Sequence, residues 1–390
     1  MINYPHSDLL KSLPKQFFAS LVSKVGKQLE QGHDVINLGQ GNPDQPTPLH
    51  IVKKLQSAAE KPVNHRYSPF QGFPYLKKAA ADFYKREYDV DVDPETEVAI
   101  LFGGKAGLVE IPQCLLNPGD TVLVPDPGYP DYWSGVALAK AEMATMPLKE
   151  ENGFLPLYSQ LTDEQLNAAK LMFLNYPNNP TGAVASEKFF QETVELGKKH
   201  GICIIHDFAY GGIGFDGKKP VSFLQAKGAK EAGIEIYTLS KTYNMAGWRI
   251  GFAVGNASVI SALNLLQDHL YVSLFGAVQE AAAAALTESQ ECVKELNALY
   301  ESRRNAFISG LQEIGWDVKA PEGSFFAWLK VPEGCSSEEF ADHLLEKAHI
   351  AVAPGIGFGK YGEGYVRVGL LTSEERLKEA VERIRKLNLF

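Results

Sequence analysis

Residues 237–256 read YTLSKTYNMAGWRIGFAVGN, and the two apolar runs that frame this stretch decide the fold. Residues 234–239 and 250–254 have the length and composition of buried strands, with polar residues placed where the strands end: Ser240 and Lys241 after the first, Arg249 before the second. Upstream the scheme recurs. EVAILFGGKAGLVEIPQCLL (97–116) is a strand, a glycine-rich turn and a helix, and DTVLVPDPGYPDYWSGVALA (120–139) repeats it. AKLMFLNYPNNPTG (169–182) and GICIIHDFAYGGIGF (201–215) continue the alternation. Short apolar runs separated by helices predict an α/β fold with a mostly parallel sheet covered on both faces. Functional loops in such sheets gather at the carboxyl ends of the strands.

On either side of this region, residues 13–31, 48–60 and 73–88 have helical apolar spacing, and 256–286 read as one long helix. Residues 290–390 alternate helices with strands such as SFFAWLKV and YVRVGLL, a second and smaller α/β unit. The expected division is a large domain over 45–285 and a small domain made of 1–44 with 286–390. No internal repeat, low-complexity tract or long linker interrupts it.

With 390 residues, 45% hydrophobic and 22% charged, the chain suits two globular domains. No run of eighteen apolar residues predicts a membrane span, and the opening MINYPHSDLL lacks a secretory pattern, which points to the cytoplasm. A net charge of −9 opposes general nucleic-acid binding. The four scattered cysteines form no C-x-x-C pair and the histidines no H-E-x-x-H, so neither disulfides nor a metal site is expected.

Lys241 follows a buried strand. It is either a solvated loop residue or a desolvated amine with lowered proton affinity, able to attack a carbonyl. Pyridoxal phosphate chemistry needs such a lysine and four further parts: an acid for the ring nitrogen, donors to the phenolic oxygen, an anion cradle and a ring stacker. Asp207 ends an apolar strand, as a helix N-cap or as the acid. Tyr210 and Asn179 are core and turn residues, or the donors. Gly104 and Lys105 open a helix whose dipole favours phosphate, although no Walker pattern is present. Thr238, Ser240 and Arg249 can complete the cradle, and Tyr129 is core or stacker. Arg367, inside the apolar YVRVGLL, needs an anion: a structural carboxylate or that of a substrate.

NNPTG, DFAY, SKTYNMAGWRIG and YVRVGL occur together in the order of the fold type I pyridoxal-phosphate enzymes, and over about 15–388 the chain resembles the class I/II aminotransferases. The resemblance implies that Lys241 is the Schiff-base lysine and proton shuttle, and that Asp207 pairs with the ring nitrogen. It assigns Asn179 and Tyr210 to the phenolic oxygen and Tyr129 to stacking. Gly104, Lys105, Thr238 or Ser240, and Arg249 then hold phosphate. Tyr67, in HRYSPFQG, would reach the neighbouring subunit's phosphate, which implies a homodimer with shared sites. Gly41 and Arg367 would hold the substrate carboxylate, with Asn179 beside them. Phe208 stands where the family usually has Glu, and GGK replaces a more usual Ser or Thr turn, leaving Lys105 open between phosphate and substrate side chain.

No second arginine matches a distal-carboxylate clamp. Phe17, Phe18, Tyr67, Tyr129 and Phe358 are expected to line an apolar pocket, favouring a hydrophobic, aromatic or thioether amino acid. LPKQFFASLVSK and VINLGQGNPDQPTP resemble the methionine-salvage aminotransferases, which aminate 4-methylthio-2-oxobutanoate, and the group near LL-diaminopimelate aminotransferase. The alternatives are a C–S lyase of the same fold, an aspartate or diaminopimelate aminotransferase, and a non-enzymatic ligand-sensing regulator. A nicotinamide dehydrogenase is opposed by the missing G-x-G-x-x-G.

Overall fold

The computed structural model describes residues 2–14, 17–271 and 273–390, the Phe17 side chain excepted. A short strand, β1 (Ile36–Asn37), comes first. Seven strands then build the main sheet: β2 (Val98–Leu101), β3 (Thr121–Asp126), β4 (Glu142–Pro147), β5 (Ala169–Asn175), β6 (Cys203–Asp207), β7 (Gly233–Thr238) and β8 (Gly251–Gly255). Their spatial order is β2-β8-β7-β6-β5-β3-β4. Strands β3 to β7 pair in parallel. Strand β8 alone runs against its neighbours β7 and β2. The link from β7 to β8 holds only a one-turn helix and a 3₁₀ turn rather than a crossover helix, and the chain returns antiparallel.

Burial explains the sequence of the central strands. β7 is buried along its whole length, which is why it reads as continuous apolar residues rather than an alternation. Helices Pro74–Tyr88 and Gly276–Thr287 pack on one face through residues such as Phe83, Tyr84 and Ala281. Helices Gly104–Leu115 and Ala257–Leu270 cover the other through Leu108, Ile111 and Leu263. The exception in β7 is Glu235, fully buried. It accepts hydrogen bonds from Tyr84 Oη and Ser222 Oγ, both at 2.7 Å, and from the Phe223 amide at 2.8 Å. It also shares a 2.7 Å bond with His206 Nδ1. A buried carboxylate is tolerable when both oxygens are satisfied in this way.

The expected single helix over 256–286 is two, Ala257–Leu270 and Gly276–Thr287. The first packs beside the helix Gly104–Leu115, and the second beside Leu49–Ala59 on the opposite face. One straight rod cannot reach both faces, so the chain breaks between them. Leu239 leaves its predicted strand to open a one-turn helix, Leu239–Thr242, capped by Thr238.

Four further strands follow: β9 (Phe326–Lys330), β10 (Ile350–Ala351), β11 (Ala353–Pro354) and β12 (Tyr365–Gly369). β11, β12 and β9 form an antiparallel sheet, and β10 pairs in parallel with β1. Ile36 and Leu38 share an apolar cluster with Phe307, Leu344, Val366 and Leu377, so residues near the start of the chain pack among those near its end. Among the described residues no helix is long and apolar enough to cross a membrane.

Candidate active site

A cavity of about 460 Å³ opens at the carboxyl ends of the main strands. Gly104, Lys105, Tyr129, Asn179, Asp207, Tyr210, Thr238, Ser240, Lys241 and Arg249 line it, with Gly41 and Arg367. Residues separated by more than three hundred positions therefore meet in one space.

Lys241 stands on the one-turn helix after β7. Its Nζ donates to the Gly41 carbonyl at 3.0 Å. Burial, and then the cations Arg367 and Arg249, bring its amine down from the ordinary 10.5 to about 8. A lysine in this state loses its proton around pH 8 rather than above 10. Asp207 closes β6. It caps no helix; its Oδ1 accepts from the Ala209 amide at 3.2 Å in a turn, and its Oδ2 accepts from Tyr132 Oη at 2.8 Å. Burial pushes this carboxyl up and the Tyr132 hydrogen bond opposes the rise. The Tyr132 ring stacks on Phe173 and is itself wholly buried.

The helix Gly104–Leu115 points its N-terminus into the cavity. Gly103 precedes it at φ +85°, and any side chain there would collide with the Arg249 guanidinium. Arg249 itself lies at φ +52° in the turn ahead of β8, rather than on the strand, and donates to the Ala246 carbonyl at 2.8 Å. Thr238 Oγ1 donates to Ser240 Oγ at 2.9 Å. Free helix N–H groups, two hydroxyls and a guanidinium at one end of the cavity make a cradle for a phosphate.

Arg367, on β12, is 4% exposed. One terminal nitrogen donates to Asn179 Oδ1 at 2.9 Å and the other to the Gly39 carbonyl at 3.0 Å, while its Nε has no hydrogen-bond partner among the described residues. Phe326, Phe358 and Phe18 surround the guanidinium at 4.1, 4.7 and 5.4 Å. Burial lowers it to about 10. No carboxylate among the described residues forms an ion pair with Arg367, the setting of a guanidinium that awaits an anion.

A family model described as aminotransferase class I and II matches residues 33–384, nearly the whole chain. The chain belongs to the class I and II aminotransferases. Such an enzyme moves an amino group between an amino acid and a 2-oxo acid. Across its full length this aminotransferase is 71% identical to the L-glutamine–4-(methylsulfanyl)-2-oxobutanoate aminotransferase of Bacillus subtilis (strain 168), covering 98% of that protein. It is 47% identical to the LL-diaminopimelate aminotransferase of Moorella thermoacetica, over 97% of both chains. Among solved structures, substrate-bound BacF from Bacillus subtilis superimposes with a TM-score of 0.95 at 51% identity, covering all of this chain and 98% of that one.

Two expected lining residues of the aminotransferase lie elsewhere. Tyr67 is 85% exposed and borders a separate surface depression with Asn64, His65, Arg66 and Phe275. Phe358 is fully buried behind Arg367 and contributes a ring to the guanidinium, not a wall to the cavity. The Phe17 side chain lies outside the described residues. The sequence reading missed Tyr132, on the helix Asp131–Leu138, because nothing in the residue order separates a core tyrosine from one that donates to Asp207. It also missed the apolar wall of Leu21, Val22 and Val25, which come from the helix Phe17–Glu30. Their helical spacing was legible; that they face the cavity was not.

Proposed function

We propose that the chain is a pyridoxal-phosphate-dependent aminotransferase that transfers the amino group of a neutral L-amino acid, glutamine foremost, to 4-(methylsulfanyl)-2-oxobutanoate, giving methionine. The observation that carries the reaction is the buried Arg367, without a carboxylate partner among the described residues, in the cavity that also holds the lowered Lys241 amine. The relative 71% identical over the full length supports the substrates, and the apolar wall of Phe18, Leu21, Val22 and Val25 suits a thioether side chain.

The residues present fit the cofactor. Lys241 would hold its aldehyde and Asp207, a buried acid with no ion pair among the described residues, its protonated ring nitrogen. Tyr210 and Asn179 would serve its phenolic oxygen, and Tyr129 would stack on the ring. Gly104 and the Lys105 backbone, with Thr238, Ser240 and Arg249, would receive its phosphate, while the Lys105 ammonium is held by Asp131. When bound, pyridoxal phosphate supplies an electron-withdrawing ring that stabilises negative charge at the substrate α-carbon. Arg367 clamps the substrate carboxylate, helped by Asn179 and by the backbone at Gly41, and fixes the α-carbon above Lys241. Lys241 Nζ, with its proton affinity lowered to about 8, would take the α-proton of the substrate as a general base. Asp207, its carboxylate held by Tyr132, would keep a proton on the cofactor's ring nitrogen.

We also assign residues 45–285 to a large cofactor domain and 1–44 with 286–390 to a small one, on the pairing of β1 with β10. The exposed Tyr67, with Phe70 and Phe275, supports a homodimer in which Tyr67 serves the neighbouring site.

The test is spectroscopic and then kinetic. Wild-type protein given pyridoxal phosphate should show a visible band that L-glutamine or L-methionine bleaches, and Lys241→Ala should lack that band. Methionine should form from 4-(methylsulfanyl)-2-oxobutanoate faster than other amino acids form from their oxo acids. A band that survives in Lys241→Ala removes the lysine assignment. Equal rates with pyruvate or 2-oxoglutarate remove the substrate.

A further inference from the structure

Among the described residues Lys105 is the fourth cation on the cavity wall, and its setting differs from that of the other three. It occupies the first turn of the helix Gly104–Leu115, where a positive side chain opposes the helix dipole. Local preference does not put a lysine there, and such conflicts mark functional positions. Its ammonium lies 2.8 Å from Asp131 Oδ1. Asp131 begins the helix Asp131–Leu138, where the dipole favours a carboxylate, and is 8% exposed. The Asp131 charge is also close enough to Tyr129 that, after burial, it holds the phenol well above its usual range. Asp131 is thus held by the start of its own helix and by Lys105.

We propose that Asp131 determines substrate charge by occupying the Lys105 ammonium, so that the cavity takes side chains ending in a carboxamide or thioether and refuses a second carboxylate. The inference rests on the reading that this cavity is the amino-acid site. Of the remaining cations, Arg367 is committed to the α-carboxylate, Arg249 lies at the phosphate end and Lys241 is consumed by chemistry. Among the described residues, a distal carboxylate would find a lysine already paired with the Asp131 charge. A carboxamide or thioether meets no such penalty. Asp131 is a positioning residue: it acts through Lys105 and touches no reacting atom.

The experiment compares wild type with Asp131→Asn, Asp131→Ser and the double variant Asp131→Asn/Lys105→Gln, each as holoenzyme. Glutarate and its monoamide are titrated by calorimetry as probes of the distal group. The half-reactions with glutamate and glutamine are followed in parallel. In Asp131→Asn the preference for acid over amide should rise by about tenfold, as expected when one charge-assisted hydrogen bond to the freed ammonium is added. The change should lie in Kd and KM more than in kcat. The double variant should return to the wild-type ratio. Asp131→Ser should repeat the result if Asp131→Asn folds poorly. Ratios in both single variants within about twofold of wild type would overturn the proposal, as would a shift that persists in the double variant. Failure of the underlying reading looks different, because wild type would then bind neither probe and react with neither amino acid.

Discussion

Lys241 shows how one side chain acquires chemistry from its surroundings. An amine attacks a carbonyl only when unprotonated. With its proton affinity lowered to about 8 by burial and by two nearby arginines, the neutral fraction grows as pH rises through 8 rather than through 10. The sign follows: uptake of pyridoxal phosphate by the apo-protein should speed up roughly tenfold per pH step below about 8 and level off above it. Stopped-flow absorbance over pH 6 to 10 measures this. A rate still climbing at the top of that range would show an ordinary lysine. Arg367 carries a second expectation at this scale. Arg367→Lys keeps the charge but loses the planar fork, so a charge-assisted contact of about 1.5–3 kcal/mol weakens and kcat/KM falls roughly 10- to 100-fold. The loss should be similar for glutamine and methionine, because both present the same α-carboxylate. Most of these residues were legible in the sequence, since each combined an unusual residue type with a strand end. Tyr132 was not, because a tyrosine in an apolar helix has no mark that separates core packing from a hydrogen bond to Asp207.

At the scale of elements, the turn into the helix Gly104–Leu115 is the most constrained piece. Gly103 has φ +85° and no room for a Cβ beside Arg249. Gly103→Ala should lose about 1–3 kcal/mol of stability through backbone strain and weaken the cofactor's phosphate contact by displacing Arg249. Gly119→Ala is the control, since it shares the positive φ but faces open space. Both variants should melt earlier, and only Gly103→Ala should bind pyridoxal phosphate less tightly. Equal cofactor affinity in the two would separate Arg249 from the cradle. The alternation of strand and helix was readable because apolar runs of strand length were bounded by glycine and proline. The reversal of β8 was not predicted, although the link after β7 holds no crossover helix. The break in the predicted 256–286 helix was hidden as well, because apolar periodicity continues across it while the packing partner changes face.

For the whole molecule, the question is whether one chain makes a complete site. Tyr67, Phe70 and Phe275 are exposed aromatic residues outside the cavity, which suits burial against a second copy. The expected outcome is a dimer by analytical ultracentrifugation. Mixing Lys241→Ala with Tyr67→Ala protein under subunit exchange should yield more activity than either parent, because the hybrid regains one intact site. A mixture no better than its parents would mean that each site is self-sufficient.

Residue order alone carried the α/β alternation and the aminotransferase family, and it singled out Lys241, Asp207, Arg249 and Arg367 as candidates. Those follow from local patterns, in which residue type and position relative to a strand end already hold the chemistry. Only the folded chain shows that Tyr132 holds Asp207, that Asp131 occupies Lys105, that the helix Phe17–Glu30 supplies the apolar wall and that Arg367 has no acid partner among the described residues. These are facts about distance between side chains that local pattern does not relate. No spacing rule encodes them, because packing alone brings such groups within a few ångströms of one another.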